Sequence, residues 1–294
     1  MQNTTAQNAP AVVVVGSLHY DIMVQAPHRP TKGETVTGSA WFPKFGGKGG
    51  NQAVAAAGAG VKTRMIGAVG RDNFADFLLN HLTTAGIATD RIARVDVGSG
   101  MSVATLDAEG DYGAVIVSGA NLLIDPAALE DDSLWDSAAV LILQNEVPEA
   151  VNIAAAKQAR SRGVTVCLNA APMREMATEF TDLVDILIVN AVEAEQLSGH
   201  AVPNLDAALT ASRALTQRFD SVVTTAGSNG VALADRTGLA KTYAALDVTL
   251  ISTHGAGDVF VGTFCAALAQ GDVAEQAAEF ANAAAARHVS TKTG

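Results

Sequence analysis

Two stretches of this 294-residue chain combine residue types and spacings that could do chemistry. In ISTHGAGDVFVGTF, residues 251–264, the small residues Gly255, Ala256 and Gly257 run straight into Asp258. Phe260, Phe264 and Leu268 then recur at helical spacing. The pattern predicts a tight bend feeding a helix, with one carboxylate in its first turn. That carboxylate could simply cap free N–H groups at the positive end of the helix dipole. Alternatively, bare backbone at a helix start admits a phosphate, and a carboxylate beside it could take a proton as general base. The second stretch, FGGKGGNQ at residues 45–52, gathers four glycines, Lys48 and Asn51. It reads either as a glycine-rich turn into a helix or as a cradle in which lysine, amide and exposed backbone hold a hydroxyl-rich ligand.

Two common nucleotide loops do not match. No glycine stands at the Walker A spacing before Gly47 and Lys48, and Gly49 takes the place of the hydroxyl residue. VVVVGS begins like a dinucleotide-binding strand, but the G-x-G-x-x-G pattern does not follow it.

The elements that must position these residues alternate along the chain. AVVVVGS, TRMIGAVG, AVLILQNE, VTVCLNAAP, DILIVN and SVVTTAG read as strands, and GGNQAVAAAGAG, NFADFLLNHLTTAGI, PEAVNIAAAKQARSRG and LDAALTASRALTQRF as helices. The alternation predicts an α/β fold with a mostly parallel sheet covered on both faces. Ligands in such sheets bind at the carboxyl ends of the strands. Those ends carry GSLHYD, LQNEVP, LNAAP, IVNAVE and TTAGSNG. Two stretches, about 21–45 and 101–118, break the alternation and read as strands and turns without helix. Together they predict a small second sheet that needs a cover or a partner. Residues 1–10 read as a polar, poorly ordered tail, and residues 11–294 as a single domain.

Composition narrows the function classes. A formal net charge of −11 argues against nucleic acid or an anionic membrane as the main partner. Cys167 and Cys265 both sit in apolar runs, which predicts buried thiols rather than a disulfide framework. The apolar runs are too short for a membrane span, and the start lacks the order of a signal peptide. Cytoplasm is the default expectation.

Taken in order, the motifs make the chain resemble the ribokinase family of sugar kinases, also called the PfkB carbohydrate kinase family. GSLHYD resembles its first-strand substrate motif, GGKGGNQAVAAAGAG its glycine-rich signature, and VNAVEAE its N-x-x-E motif. TTAGSNG resembles its nucleotide loop and GAGDVFVG its catalytic signature. The resemblance runs from about Val12 to the last residue. It implies a three-layer α/β/α sandwich with a small β-sheet lid, and ATP-dependent phosphorylation of a primary hydroxyl. By similarity Asp258 is the base, and the amides of Gly255, Ala256 and Gly257 form an anion hole for the transferring phosphoryl group. The sugar pocket would include His19, Asp21, Gly47, Lys48, Asn51 and Glu146. The nucleotide side would use Asn190, Thr225, Gly227, Ser228 and Gly230, with Asn282 near the base. Glu193 would help hold Mg²⁺ through water. The resemblance also implies a homodimer through the lid.

Three departures from the family pattern matter. His19 stands where ribokinases usually carry an asparagine that contacts ribose, and its ring is larger. Ser252 stands where they usually carry an aspartate that helps bind an activating monovalent cation, which puts K⁺ activation in question. The chain stops at TKTG, where the family usually continues with a glycine-containing loop and another helix. Ribose or a related pentose is nonetheless the nearest substrate, because GETVTG, FGGKG and LNAAP most resemble the ribokinase pattern. A nucleoside kinase remains the first alternative, with Trp41, Phe42, Tyr112 and Ile116 as candidate walls for a base. A non-catalytic sugar- or nucleotide-binding protein is the second.

Overall fold

The computed structural model describes residues 9–107 and 112–291. The tail expected at residues 1–10 therefore lies almost entirely outside the described residues. At the centre runs β1 (Ala11–Val15), five apolar residues that are all fully buried. Such a run suits the middle of a parallel sheet covered on both faces. It pairs in parallel with β4 and β8. In chain order the other strands are β2 (His19–Gln25), β3 (Ala40–Gly46), β4 (Lys62–Val69), β5 (Ile92–Arg94), β6 (Met101–Leu106) and β7 (Tyr112–Val117). They are followed by β8 (Ala138–Gln144), β9 (Thr165–Asn169), β10 (Ile186–Asn190), β11 (Ser221–Thr225), β12 (Gly230–Asp235) and β13 (Ala240–Ala244). The main sheet has the order β13-β12-β11-β10-β9-β8-β1-β4-β5, parallel except for the antiparallel edge from β11 to β13.

The helices are α1 (Lys48–Gly58), α2 (Asn73–Thr84), α3 (Glu149–Arg160), α4 (Thr178–Thr181), α5 (Ala191–Ser198), α6 (Leu205–Leu215), α7 (Ala256–Ala269) and α8 (Ala274–Val289). Alternation along β1 shows how they divide. Val13 and Val15 join one core with residues of α3, α5 and α6. Val12 and Val14 join the other with residues of α1, α2, α7 and α8. The result is the three-layer sandwich expected from the alternating pattern. Short edge elements were not legible: β5 is three residues long, and β13 (AKTYA) is largely exposed and lacks a buried face.

The irregular stretches form a second sheet of order β3-β2-β6-β7. Its register sorts the side chains. Asp21 pairs with Lys44 and Ser102, Met23 with Phe42, and Ser102 with Ile116, so these share one face. Tyr20, Ile22, Val24, Trp41, Val103 and Val115 share the other. Near the main domain that second face packs on α2, where Tyr20 stacks on Phe74 with centroids 4.1 Å apart. Farther out it is open, with Trp41 66% and Val115 69% exposed.

Candidate active site

Asp258 is the third residue of α7. Gly255 precedes the helix with φ 81°, a left-handed conformation that glycine adopts without strain. The carboxylate does not cap its own helix. Instead Oδ1 accepts from Gln52 Nε2 at 2.9 Å and Oδ2 from Asn51 Nδ2 at 3.1 Å. Both donors come from α1, and the close approach of α1 to α7 makes the contact possible. A Cβ on Gly262 would lie 2.4 Å from the Gln52 carbonyl oxygen and 2.6 Å from the Ala55 methyl. Gln52 is fully buried, and its Nε2 also donates to Asn169 Oδ1 at 3.0 Å. Asn169 in turn donates to the Ile188 carbonyl at 3.1 Å. Burial pushes the Asp258 carboxyl above the usual aspartate range, and Lys48, Asn51 and Gln52 oppose that shift.

On one side of Asp258, residues at the ends of β1, β2 and β8 converge. Glu146 Oε2 accepts from the Ser17 hydroxyl at 2.5 Å and from the Lys48 amide at 2.8 Å. His19 Nδ1 lies 4.0 Å from the same oxygen. Asp21 is buried and accepts from the Ser102 hydroxyl at 2.5 Å, and burial raises its carboxyl. Gly47 lies against the backbone of Ser17 and His19. Several buried polar atoms here have no protein partner: His19 Nε2, Gln52 Oε1, both amide atoms of Gln144, and Asn145 Oδ1.

On the other side opens a cleft of about 1060 Å³. Polar groups from Lys48, Asn190, Glu193, Thr225 and Ser228 line it, and α7 enters it with Gly255 to Asp258. Leu246, Val248, Leu250 and Ala285 supply an apolar wall. Asn190 and Glu193 form a reciprocal cap on α5, each backbone N–H donating to the other's side chain at 2.9 Å. Burial raises the Glu193 carboxyl, with Lys48 favouring and Asp258 opposing its ionised form.

Comparison with known proteins tests what this arrangement belongs to. The model of the pfkB family carbohydrate kinases matches residues 9–294. The chain belongs to this family. It is 35% identical to the ribokinase of Bacillus subtilis over 95% of this chain and 92% of that protein. It is 36% identical to the ribokinase of Mus musculus, over 90% of this chain and 83% of the relative. Its fold superposes on Arabidopsis thaliana ribokinase complexed with ribose and ATP, with a TM-score of 0.88 and 29% identity, covering 97% and 94% of the two chains.

Against that family background, most of the residues singled out by motif come together. Asp258 and Asn51 are bonded directly, Lys48 and Glu146 meet through the backbone, and His19 faces Glu146. Asn190, Glu193, Thr225, Gly227, Ser228, Gly230 and Asn282 all line the cleft. Three of these groups also have protein partners. The Ala256 amide donates back to the Thr253 carbonyl at 3.2 Å, so one of the three expected anion-hole donors is engaged. Asn190 Oδ1 is occupied by the α5 cap. Asn282 Nδ2 donates to the Ala244 carbonyl at 2.8 Å, tying α8 to the end of β13. Trp41 lies on the lid face opposite Asp21, whereas Phe42 and Ile116 of the candidate wall share the site-facing side. The side chain of Tyr112 lies outside the described residues. Sequence reasoning missed Gln52, Asn169, Ser17 and Ser102. Gln52 sits inside the glycine-rich motif, but only its three-dimensional neighbours reveal that it serves Asp258.

Proposed function

We propose that this chain transfers the γ-phosphoryl group of ATP to a primary hydroxyl of ribose or a related pentose. One observation carries the reading: a buried carboxylate at the start of α7 stands between a cluster of hydroxyl-binding groups and an open cleft. Asp258 takes the proton from the attacking hydroxyl as that oxygen bonds to phosphorus and the bond to the ADP oxygen breaks. Its raised proton affinity suits a base better than an exposed aspartate would. The Gly255 and Gly257 amides face the developing charge, with Ala256 joining if its turn opens. Asp21, Asn51 and Glu146 orient the sugar, and the unpartnered atoms of His19 and Gln144 fit a polyhydroxylated ligand that would satisfy them.

Lys48 and Glu193 border the phosphate end of the cleft. Among the described residues no three or more His, Cys, Asp or Glu side chains cluster as a metal cage. That fits Mg²⁺ arriving on phosphate, which keeps much of its water. Glu193 would hold Mg²⁺ through water, and the ion would supply charge neutralisation on the phosphate oxygens. The open lid face with Trp41 and Val115 supports a homodimer through the lid, since the edges and faces of a small sheet need cover. Two buried thiols fit a reducing, cytoplasmic setting. Phe42 and Ile116 on the site-facing side of the lid favour a second reading, a nucleoside as acceptor.

The test is ADP release with MgATP across pentoses, hexoses and nucleosides, run beside Asp258→Asn. Turnover on a pentose that falls at least about 100-fold in the variant, with sugar binding retained, supports the proposal. Equal turnover in the variant rules out Asp258 as the base. Turnover confined to nucleosides selects the second reading.

A further inference from the structure

The loop that leads into α7 is tied down by an imidazole. His288, in the last turn of α8, places Nε2 2.9 Å from the carbonyl oxygen of His254. A carbonyl can only accept, so Nε2 carries the proton and donates. The ring lies along the glycine that starts the anion hole: a Cβ on Gly255 would sit 3.4 Å from His288 Nε2. Three further bonds stitch the same loop to α8 and to itself. The amides of Ile251 and Ser252 donate to the Val289 carbonyl at 2.7 and 3.2 Å. The His254 amide donates to the Ser252 hydroxyl at 3.3 Å.

This donor set does not suit a monovalent cation. Such an ion needs several oxygens with lone pairs turned toward it, as carbonyl rings in selective pores provide. Here two amides take both lone pairs of the Val289 carbonyl, and the His254 carbonyl and the Ser252 hydroxyl each have one lone pair taken, by an imidazole N–H and a third amide. Position 252 supplies a hydroxyl and no carboxylate. The neighbouring His254 ring is held neutral, its pKa lowered to about 4 by burial and by Lys44, Lys48 and His288.

We propose that His288 is a positioning residue that holds the 252–255 loop in its anion-binding shape, and that the protein needs no monovalent cation for this. The proposal rests on the phosphotransfer reading, so its test includes measurements that need no turnover. The wild type should melt at the same temperature in potassium chloride and in tetramethylammonium chloride of equal ionic strength. Its kcat should agree within about twofold between the two salts. His288→Ala should lose about 10- to 100-fold in kcat through misplacement of the hole, with the sugar KM little changed. Added imidazole, or His288→Gln with its own N–H donor, should recover much of that loss. A non-hydrolysable ATP analogue should bind His288→Ala more weakly, and imidazole should restore its affinity.

A potassium-specific rise in melting temperature or in kcat would overturn the proposal. So would full kcat and full analogue affinity in a folded His288→Ala, or a loss that neither imidazole nor glutamine repairs. If the wild type turned over no sugar or nucleoside, the kinase reading would fall, and the melting and analogue-binding measurements would still decide the role of His288.

Discussion

Replacing Gln52 by leucine tests the arrangement around Asp258 most directly. Leucine is larger by somewhat less than one methylene, and it removes one of the two side-chain donors on the carboxylate together with the bond to Asn169. A hydrogen bond to a charged group contributes about 1.5–3 kcal/mol, and 1.36 kcal/mol corresponds to one pKa unit. The bond favours the ionised form, so its loss raises the Asp258 pKa by about one to two units. A base must be ionised to act, so activity falls as pH drops through that value. The acid limb of kcat/KM should therefore move up by about one to two pH units in Gln52→Leu, while the alkaline side stays in place.

Stability gives an independent check with its own sign. The folded pKa of Asp258 already lies above that of an exposed aspartate. The folded protein therefore holds this proton more tightly than the unfolded chain, and ionising Asp258 costs stability. That contribution is complete below the unfolded value and is lost as pH rises through the folded value. Removing the Gln52 donor enlarges the loss. Gln52→Leu should be destabilised by about 2–3 kcal/mol at pH 8 and by clearly less near pH 5. The assays are pH–rate profiles from coupled ADP release and urea unfolding at both pH values. An unmoved or lowered acid limb, or equal destabilisation at the two pH values, would refute the assigned contact.

Gly262→Ala should cost about 1–3 kcal/mol by urea unfolding, because the new methyl overlaps the α1 backbone. Its kcat should fall more than its sugar affinity, since Asp258 shifts relative to α1. Trp41→Glu combined with Val115→Glu should convert a lid-mediated dimer to monomer in sedimentation velocity, and a dimer that survived would place the interface elsewhere. Asn190→Ala should remove the cap on α5 at about 1 kcal/mol, and should raise the KM for ATP by reorienting Glu193 at the cleft wall.

Much of this was legible in the chain because it depends on local pattern. The apolar run of β1, the glycines before Asp258 and the helical spacing after it each predict their own element. The lid was legible as a break in alternation. What failed was information that exists only across the fold. Gln52 meets Asp258 across 206 positions of sequence, and nothing near either residue announces the pairing. Trp41 was grouped with Phe42 as a wall, but neighbouring strand residues point to opposite faces, and register decides which one meets the site. Asn190 Oδ1 and the Ala256 amide each meet a protein partner that their motifs do not announce.

The helix pair α1–α7 explains why the two halves of the site cannot drift independently. The start of α1 gives its Lys48 amide to Glu146, which faces His19 on the side proposed to bind the sugar. One turn later, Asn51 and Gln52 hold the carboxylate at the start of α7, beside the open cleft. Gly262 sets how closely the two helices approach. A displacement of α1 would therefore move the groups around Glu146 and the donors to Asp258 together. Transfer between two bound substrates depends on the separation of attacking oxygen and phosphorus, where about 1 Å of misplacement can cost about 100-fold. A single rigid helix that contacts both sides limits that error. Alanine-rich α1 suits the task, because small side chains let its backbone approach both neighbours.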